Sequence, residues 1–247
     1  MSGNDRVRVS VCMATYNGQD YITEQVDSIL AQLSSEDELI IVDDASKDST
    51  LEVVRRLEDP RIILLCNKEN IGYVASFEKA ISASKGEYIM LSDQDDVWLA
   101  GRVDTLVAAL QAKDFAASNF TVFGGPANKY HKVQLKESDS RRWMANLITT
   151  WIGIRPYYGC TMAFTARAKK LILPFPGFLK ETHDQWIAIV ANRNRDMVHV
   201  AAPTVARRLH DDNTTPKTRR PVAVILRARI MLLRAFFVAL GRKADAR

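Results

Sequence analysis

Three aspartates fall within four positions in SDQDDVW, residues 92–98, directly after the apolar run of GEYIML. Carboxylates that close repel one another unless positive charge sits between them. Asp93 and Asp95, two residues apart on an extended segment, can share a hard divalent cation such as Mg2+ or Mn2+, and such an ion can bridge a diphosphate. The plainer role is a solvated turn whose carboxylates favour the N-terminus of the next helix. A second pair, Asp43 and Asp44, ends the run ELIIVDD. Asp48 or Ser49 is available to cap the helix that follows, so this pair is free to accept hydrogen bonds from a nucleobase N–H or a ribose hydroxyl. Asp184, in ETHDQW, precedes another apolar helical run, where capping is its ordinary role.

Other ways of holding phosphate or metal are missing. Neither GxxxxGK[ST] nor GxGxxG occurs, so a diphosphate here calls for a metal and not a glycine cradle. Counted from Asp44, an EF-hand would need Gly where Ser49 stands and Glu where Arg55 stands. DQDDV does not follow the first strand and lacks the Asp-x-Asp-x-Thr arrangement of an aspartyl-phosphate phosphatase.

These groups cooperate only if the chain brings them together. VRVSVCMA, ELIIVDD, RIILLC and EYIML are apolar runs of strand length. Between them apolar residues recur at helical spacing: Ile22, Val26, Ile29, Leu30 and Leu33; DSTLEVVRRL, with Ser49 and Glu52 spaced as a capping box; and YVASFEKAISASKG, with Gly86 as C-terminal stop. Leu99, Val103, Leu106, Val107 and Leu110 mark a further helix. The alternation predicts an α/β fold, a mainly parallel sheet with helices on both faces. Ligands of such sheets bind beyond the carboxyl ends of the strands. There the sequence places TYNG (15–18), DDAS (43–46), NKENIGY (67–73) and SDQDD (92–96), so four polar clusters should crowd one edge.

The second half is less regular. ASNFTVFGG and YYGCTMAFTA read as strands, SRRWMANLITTW and HDQWIAIVANRN as helices, and MVHVAAPTVARRLH as extended. A loop opens at Gly124, Gly125 and Pro126, and a soft boundary falls near residue 215. From Pro221 to Lys243 the chain is helix-like and apolar almost all round, with Arg227 and Arg234 on one face and Arg229 on another.

The 247 residues, 47% hydrophobic and 26% charged, suit one large domain, or one domain with an appendage. The net charge of +5 concentrates near the C-terminus. The first half has no basic stripe interleaved with aromatics, so no nucleic-acid partner is expected; anionic lipid or a phosphorylated substrate accounts for the bias. Cys12, Cys66 and Cys160 are far apart and in apolar settings, which predicts no zinc site or disulfide framework and a reducing compartment. The N-terminus lacks the apolar run of a signal peptide, and no stretch is long enough for a membrane span.

VSVCMATYNGQDYITEQVDSILAQ, ELIIVDDASKDST, NIGYVASFEKAISASKGEYIMLSDQDDVW and ETHDQW together resemble family 2 glycosyltransferases with the GT-A fold. The resemblance covers residues 7–110 and, more loosely, 157–215. SDQDDVW with RLHDDNTT is most similar to the bacterial rhamnosyltransferase-like branch, which serves surface-polysaccharide synthesis. It implies a GT-A (Rossmann-like) domain over residues 1–215, with a nucleotide-binding half (1–115) and an acceptor half (116–215), then a basic apolar C-terminal helix at 216–247.

Roles follow from the resemblance residue by residue. Ala14, Thr15, Tyr16 and Asn17 form the loop that cups the nucleotide, with Tyr16 against the base. Asp44 reads the pyrimidine, with Asp43 beside it. Asp93-Gln94-Asp95 is the family's DxD motif, in which Asp95 is the main metal ligand and Asp93 lies nearer the ribose or the metal's water shell. Asp96 and Trp98 line the donor sugar. Asp184 is the catalytic base, although the family often writes Glu-Asp where this chain has His183-Asp184; Glu181 is the reserve. His210 either completes the metal or diphosphate site or is structural, and Arg207 and Arg208 either neutralise the diphosphate or are surface charges. GCTMAF (159–164) forms the acceptor floor or a buried strand, and Trp151, Tyr157 and Tyr158 stack on sugars or belong to the core.

The implied reaction moves one sugar, with inversion, from a nucleotide-sugar donor to a saccharide or lipid-linked saccharide acceptor, assisted by Mn2+ or Mg2+. By resemblance dTDP-rhamnose is the first donor and a UDP-sugar the second. RRW (141–143) lacks the spaced glutamine of the processive synthases' QxxRW and precedes Asp184, which favours single-sugar transfer. The implied location is the cytoplasm, at the inner face of the membrane if the C-terminal helix binds lipid and not protein. The rivals are a sugar nucleotidyltransferase, whose basic glycine-rich loop should stand where TYNGQD does, and an inactive nucleotide- or metal-binding module of the same fold.

Overall fold

The computed structural model describes residues 7–125, 133–210 and 221–243. The strands β1 (Val9–Thr15), β2 (Glu38–Asp43), β3 (Ile62–Cys66) and β4 (Tyr88–Ser92) alternate with α1 (Ile22–Leu30), α2 (Thr50–Arg56) and α3 (Tyr73–Ala83). The chain continues through β5 (Val97–Trp98), α4 (Arg102–Leu110), β6 (Phe115–Phe123), α5 (Trp143–Ile152), β7 (Met162–Thr165), α6 (Ala166–Ile172), α7 (His183–Arg193), β8 (Met197–Arg208) and α8 (Val222–Leu240). The eight strands form one sheet in the order β3-β2-β1-β4-β7-β6-β8-β5.

The pairs among β1 to β4 are all parallel, as helical crossovers require. Beyond β4 the sheet is mixed: β7 runs antiparallel to both β4 and β6, β8 is parallel to β6, and β5 is antiparallel to β8. Alternate side chains of β1 and β2 feed two cores. Val9, Val11 and Met13 pack with Ile22, Val26 and Ile29 of α1 and with Val103 and Leu106 of α4. Cys12, Ile40 and Val42 pack on the other face with Phe77 and Ile81 of α3 and Trp186 of α7. Because both faces are covered, these strands are apolar apart from Ser10, which bonds Glu38, and the polar residues at their ends. α8 forms an outer layer and contributes Leu232, Ala235 and Ala239 to the second core.

Several local expectations are corrected. Ser49 precedes α2 but makes no side-chain capping bond; Asp48 Oδ1 accepts from the Thr50 amide at 3.0 Å instead. α3 stops at Ala83, three residues before Gly86. Gly86 serves a close approach, since a Cβ there would lie 2.5 Å from the Ser10 amide nitrogen. YYGCTMAFTA is a strand only from Met162, behind a 3-10 turn at Gly159–Thr161. The boundary near residue 215 lies outside the described residues.

β5 was not legible as a strand. It ties the acidic stretch to β8 by pairing Val97 with Ala206 and Trp98 with Val205. The β6–β8 ladder is interrupted: Ser118 opposes Val200, Asn119 opposes Pro203 and Phe120 opposes Val205. β8 therefore carries extra residues there, a bulge that turns its far end toward the carboxyl edge of the sheet.

Candidate active site

The four polar clusters do converge. The Asp44 amide donates to the Thr15 carbonyl (2.8 Å) and the Asn67 amide to the Asp43 carbonyl (2.8 Å), which binds the ends of β1, β2 and β3 together. Gln94, in the middle of DQD, clamps the loops after β1 and β4. Its Oε1 accepts from the Thr15 hydroxyl (2.7 Å) and the Tyr16 amide (2.8 Å), and its Nε2 donates to the Tyr16 carbonyl (3.2 Å). A Cβ at position 18 would fall 2.5 Å from Gln94 Oε1, so a larger residue than Gly18 would displace this amide from its clamp. Asn17 holds the second loop, accepting from the Lys47 amide and donating its own amide to Ser46 Oγ. Tyr16 is left 41% exposed at the rim, and Ala14 lies partly buried beside it.

The two aspartates that end β2 differ. Asp44 is buried and accepts from the Ile71 amide (3.0 Å), the Gly72 amide (2.8 Å) and Asn67 Nδ2 (2.8 Å), so it holds the loop entering α3. Oδ2 carries only the Gly72 bond, so acceptor capacity remains on Asp44. Asp43 is buried too, but only its Oδ2 is engaged, by the Ser46 amide at 3.1 Å; its Oδ1 has no partner among the described residues.

Asp93, Asp96 and Cys160 bring ligand atoms within 4.8 Å of one another. Burial, then the neighbouring Asp95 charge, pushes Asp93 up to about 6. Burial, then Asp93 and Asp95, pushes Asp96 up to about 7. The Arg208 amide donates to Asp96 Oδ1 (3.0 Å), while Asp96 Oδ2 has no partner among the described residues. Burial holds the Cys160 thiol well above its ordinary value, so it stays protonated and is a weak ligand for a hard cation.

Two arginines supply the positive charge behind this cluster. Arg207 stacks over Tyr158 at 4.2 Å and Phe120 at 5.3 Å. Burial disfavours its charge, but the neighbouring carboxyl groups of Asp96 and Asp93 outweigh that, so Arg207 is held ionised. Arg102 is fully buried and joins three elements, donating to Thr204 Oγ1 (2.6 Å), the Cys160 carbonyl (2.7 Å) and the Leu91 carbonyl (3.3 Å). Trp98 lies beneath the Arg102 guanidinium at 4.5 Å, is 4% exposed and donates its indole N–H to Ser92 Oγ. This corrects its expected place on the sugar: Trp98 packs in the core and reaches the site only through Arg102. Sequence reasoning missed Arg102 and Gln94 altogether, since neither type is unusual at its position. It left Arg207 undecided, although an arginine ending a strand that returns to this edge was a usable signal.

Asp95 and His210 meet across the strand ends, with Nε2 and Oδ2 2.8 Å apart. His210 stacks on Tyr21 (4.5 Å), and Arg208 Nε donates to the Asp95 carbonyl (3.0 Å). A carboxylate beside an imidazole is a suitable donor pair for a first-row divalent ion. Asp93, which feels the Asp95 charge, links this pair to the buried cluster. Asp95 and His210 are thus paired with each other, whereas the ligand atoms that lie within 4.8 Å of one another belong to Asp93, Asp96 and Cys160.

Asp184 stands in the first turn of α7, and Oδ1 accepts from the Gln185 amide at 2.7 Å. Burial pushes its carboxyl up to about 7, and the Asp93 charge adds to the shift. The residue before α7 is strained: Thr182 has φ +64° and ψ +42°, a left-handed conformation rare for a β-branched side chain. Its amide donates to the Tyr73 hydroxyl at 3.1 Å, which joins the starts of α3 and α7. His183 is buried, stacks on Phe77 at 4.3 Å and is driven by burial down to about 3, so it is neutral. The reserve candidate Glu181 is exposed. Of the three aromatics weighed for sugar stacking, only Tyr158 borders the cluster. Tyr157 bonds His199 Nε2 (2.7 Å) in the core, and Trp151 donates to the Arg229 carbonyl between α5 and α8.

The sequence profile described as "Glycosyl transferase family 2" matches residues 10–170. Over 116 residues the chain is 32% identical to the UDP-Glc:alpha-D-GlcNAc-diphosphoundecaprenol beta-1,3-glucosyltransferase WfaP of Escherichia coli, covering 46% of each chain. The chain spans about half the length of the curated relatives it matches first. It superposes on S. aureus TarS 1-349 in complex with UDP-GlcNAc with a TM-score of 0.71 at 19% identity, over 97% of this chain and 68% of that one. It superposes on glucosyl-3-phosphoglycerate synthase from Mycobacterium tuberculosis, in complex with Mn2+, UDP and glucosyl-3-phosphoglycerate, with a TM-score of 0.62 at 16% identity, over 95% of this chain and 80% of that one. These likenesses establish the GT-A fold.

Proposed function

The chain belongs to glycosyl transferase family 2, and on that premise we propose that it is an inverting glycosyltransferase. It moves one sugar from a nucleotide-diphosphate sugar to an acceptor hydroxyl in bacterial surface-polysaccharide synthesis. The supporting observation is Asp184, a carboxyl raised to about 7 that shares the carboxyl edge of the sheet with Asp93, Asp96 and Arg207. A general base works best when its pKa lies near the working pH. Asp184 takes the proton of the acceptor hydroxyl as that oxygen attacks the sugar from the face opposite the leaving diphosphate.

The other residues bind and orient. Tyr16 flanks the base, and Asp43 offers it a buried carboxylate oxygen that has no partner among the described residues. Gln94 fixes the loop that carries Tyr16. Asp95 and His210, with Asp93, would hold the divalent cation. An imidazole in the set favours Mn2+ over Mg2+, which prefers oxygen ligands. When bound, the ion supplies positive charge for the departing nucleoside diphosphate. Asp96 faces the donor sugar, and Tyr158 with the 3-10 turn at Gly159–Thr161 floors the acceptor side.

The donor is a UDP-sugar, because the relatives above are named for UDP-Glc or were solved with UDP or UDP-GlcNAc. dTDP-rhamnose is the second choice, on the motif resemblance alone. The acceptor is a saccharide, lipid-linked as in the name of the E. coli relative, and such an acceptor supports a reaction at the membrane surface. A thermal-shift screen of nucleotide sugars with and without Mn2+ tests this. Stabilisation by one sugar nucleotide, increased by Mn2+, is expected, followed by transfer or slow donor hydrolysis. A chain that binds a sugar nucleotide but neither transfers nor hydrolyses it is the inactive module instead.

A further inference from the structure

Helices α5 and α8 meet at the edge of the molecule. The Trp151 indole donates to the Arg229 carbonyl, and Arg229 donates back to the Ile152 carbonyl. Each helix has an apolar stripe turned away from the protein. On α8, Leu226, Ile230, Leu233 and Phe237 recur at helical spacing and are exposed, while Leu232, Ala235 and Ala239 bury the opposite face. On α5, Met144, Ile148 and Trp151 repeat the pattern, at 60%, 57% and 45% exposure. One apolar stripe suffices to pack a surface helix, so a second, outward stripe on two touching helices needs a cover of its own.

The charges decide what the cover is. Residues 221–243 contain Arg227, Arg229, Arg234, Arg242 and Lys243 and no acidic residue, and α5 carries no charged residue at all. Arg227 and Arg234 are seven apart, both exposed and beside the α8 stripe. A second copy seated face to face on this surface would bring like charges together with no carboxylate on either helix. An anionic bilayer supplies the opposite charge and an apolar phase at once. No described helix is long and apolar enough to cross a membrane, which leaves in-plane contact. We infer that α5 and α8 form one membrane-docking face, which lays the α8 stripe and Trp151 into the interface of an anionic lipid surface while Arg227 and Arg234 pair with lipid phosphates.

The experiment is vesicle flotation of the full chain with phosphatidylcholine alone and with added phosphatidylglycerol. Neither donor nor acceptor is present, so failure here would leave the transferase proposal untouched. Binding to the anionic vesicles should be at least about tenfold tighter and should weaken with salt. Leu226→Glu with Leu233→Glu should abolish binding, and Arg227→Glu with Arg234→Glu should remove the lipid preference. Unchanged thermal unfolding would show both variants to be folded. Equal partition into both vesicle types, partition into neither, or wild-type partition by the Leu226/Leu233 variant would overturn the proposal. So would a dimer seen by light scattering that this variant dissolves, since a second copy would then be the cover.

Discussion

Asp44 and Asp184 are both half or fully sheltered carboxylates at loop–helix junctions, yet the protein treats them oppositely. Asp44 receives three N–H donors and spends both oxygens on the loop before α3. Asp184 receives one amide bond and is pushed up to about 7 by burial and by Asp93. The same contrast separates Asp48, which accepts from Thr50 and Gln19, from Asp96, whose Oδ2 has no partner among the described residues. Filled carboxylates build the frame of the site; those left short of donors are the ones to which the proposed function gives ligand, metal or proton. Aspartates alike in sequence are therefore sorted by the hydrogen bonds around them.

Mutations that remove one member of each class test this sorting. Asp184→Asn keeps the bond from the Gln185 amide and discards only the proton acceptor. Transfer should fall by about a thousandfold in steady-state assays, with donor binding intact and a melting temperature no lower than wild type. Residual activity near wild type would remove Asp184 from the chemistry. Asp95→Ala should weaken donor binding on the order of a hundredfold in Mn2+ and erase the difference between Mn2+ and chelator, as titration calorimetry would show. Asp44→Ala should act in the opposite way. It strands the Ile71 and Gly72 amides and should cost about 3 kcal/mol of stability by denaturant unfolding, with catalysis per folded molecule changed less than by Asp184→Asn.

The pH dependence sharpens the same contrast. Asp184 acts as a carboxylate and its pKa is raised, so kcat/KM should rise with pH, roughly tenfold per unit, to a plateau above about 7. A profile flat from pH 5 to 9 would exclude a base raised in this way. The smallest effect belongs to the start of α2. Asp48→Ala should cost about 1 kcal/mol, whereas Ser49→Ala should stay within about 0.5 kcal/mol, because Ser49 makes no capping bond.

What the sequence made legible follows from range. The four parallel strands and their helices rest on local periodicity, and the convergence of their loops is a rule of such sheets. Asp43, Asp93, Asp95 and Asp184 could be named because acidic residues at strand and helix ends are conspicuous. Side-chain partnerships across 23 to 28 residues were not legible, so the three N–H groups that Asp44 accepts from could not be foreseen. Nor could a two-residue strand such as β5 be read, since two residues carry no period. Trp98 was misplaced for the same reason: only the pairing with β8 turns its ring into the core beneath Arg102. The Asp48–Thr50 bond competes with a capping box that the sequence displays equally well.

The bulge in β8 makes the site a matter of odd and even. From Val200 to Val205 the strand advances five residues while β6 advances two, from Ser118 to Phe120. The surplus of three is odd, so residues of one parity exchange faces across it. Met197 lies in the core under α7, whereas Val205 lies in the core under α1 and α4, and Arg207 follows Val205 onto the rings of Phe120 and Tyr158. Loss of a single residue between 201 and 204 would thus bring Arg208, another arginine, to the place of Arg207, but would put Ala206 in the core place of Val205. Changes of two residues keep each side chain on its own face of this strand, whereas a change of one exchanges the faces and costs the core Val205.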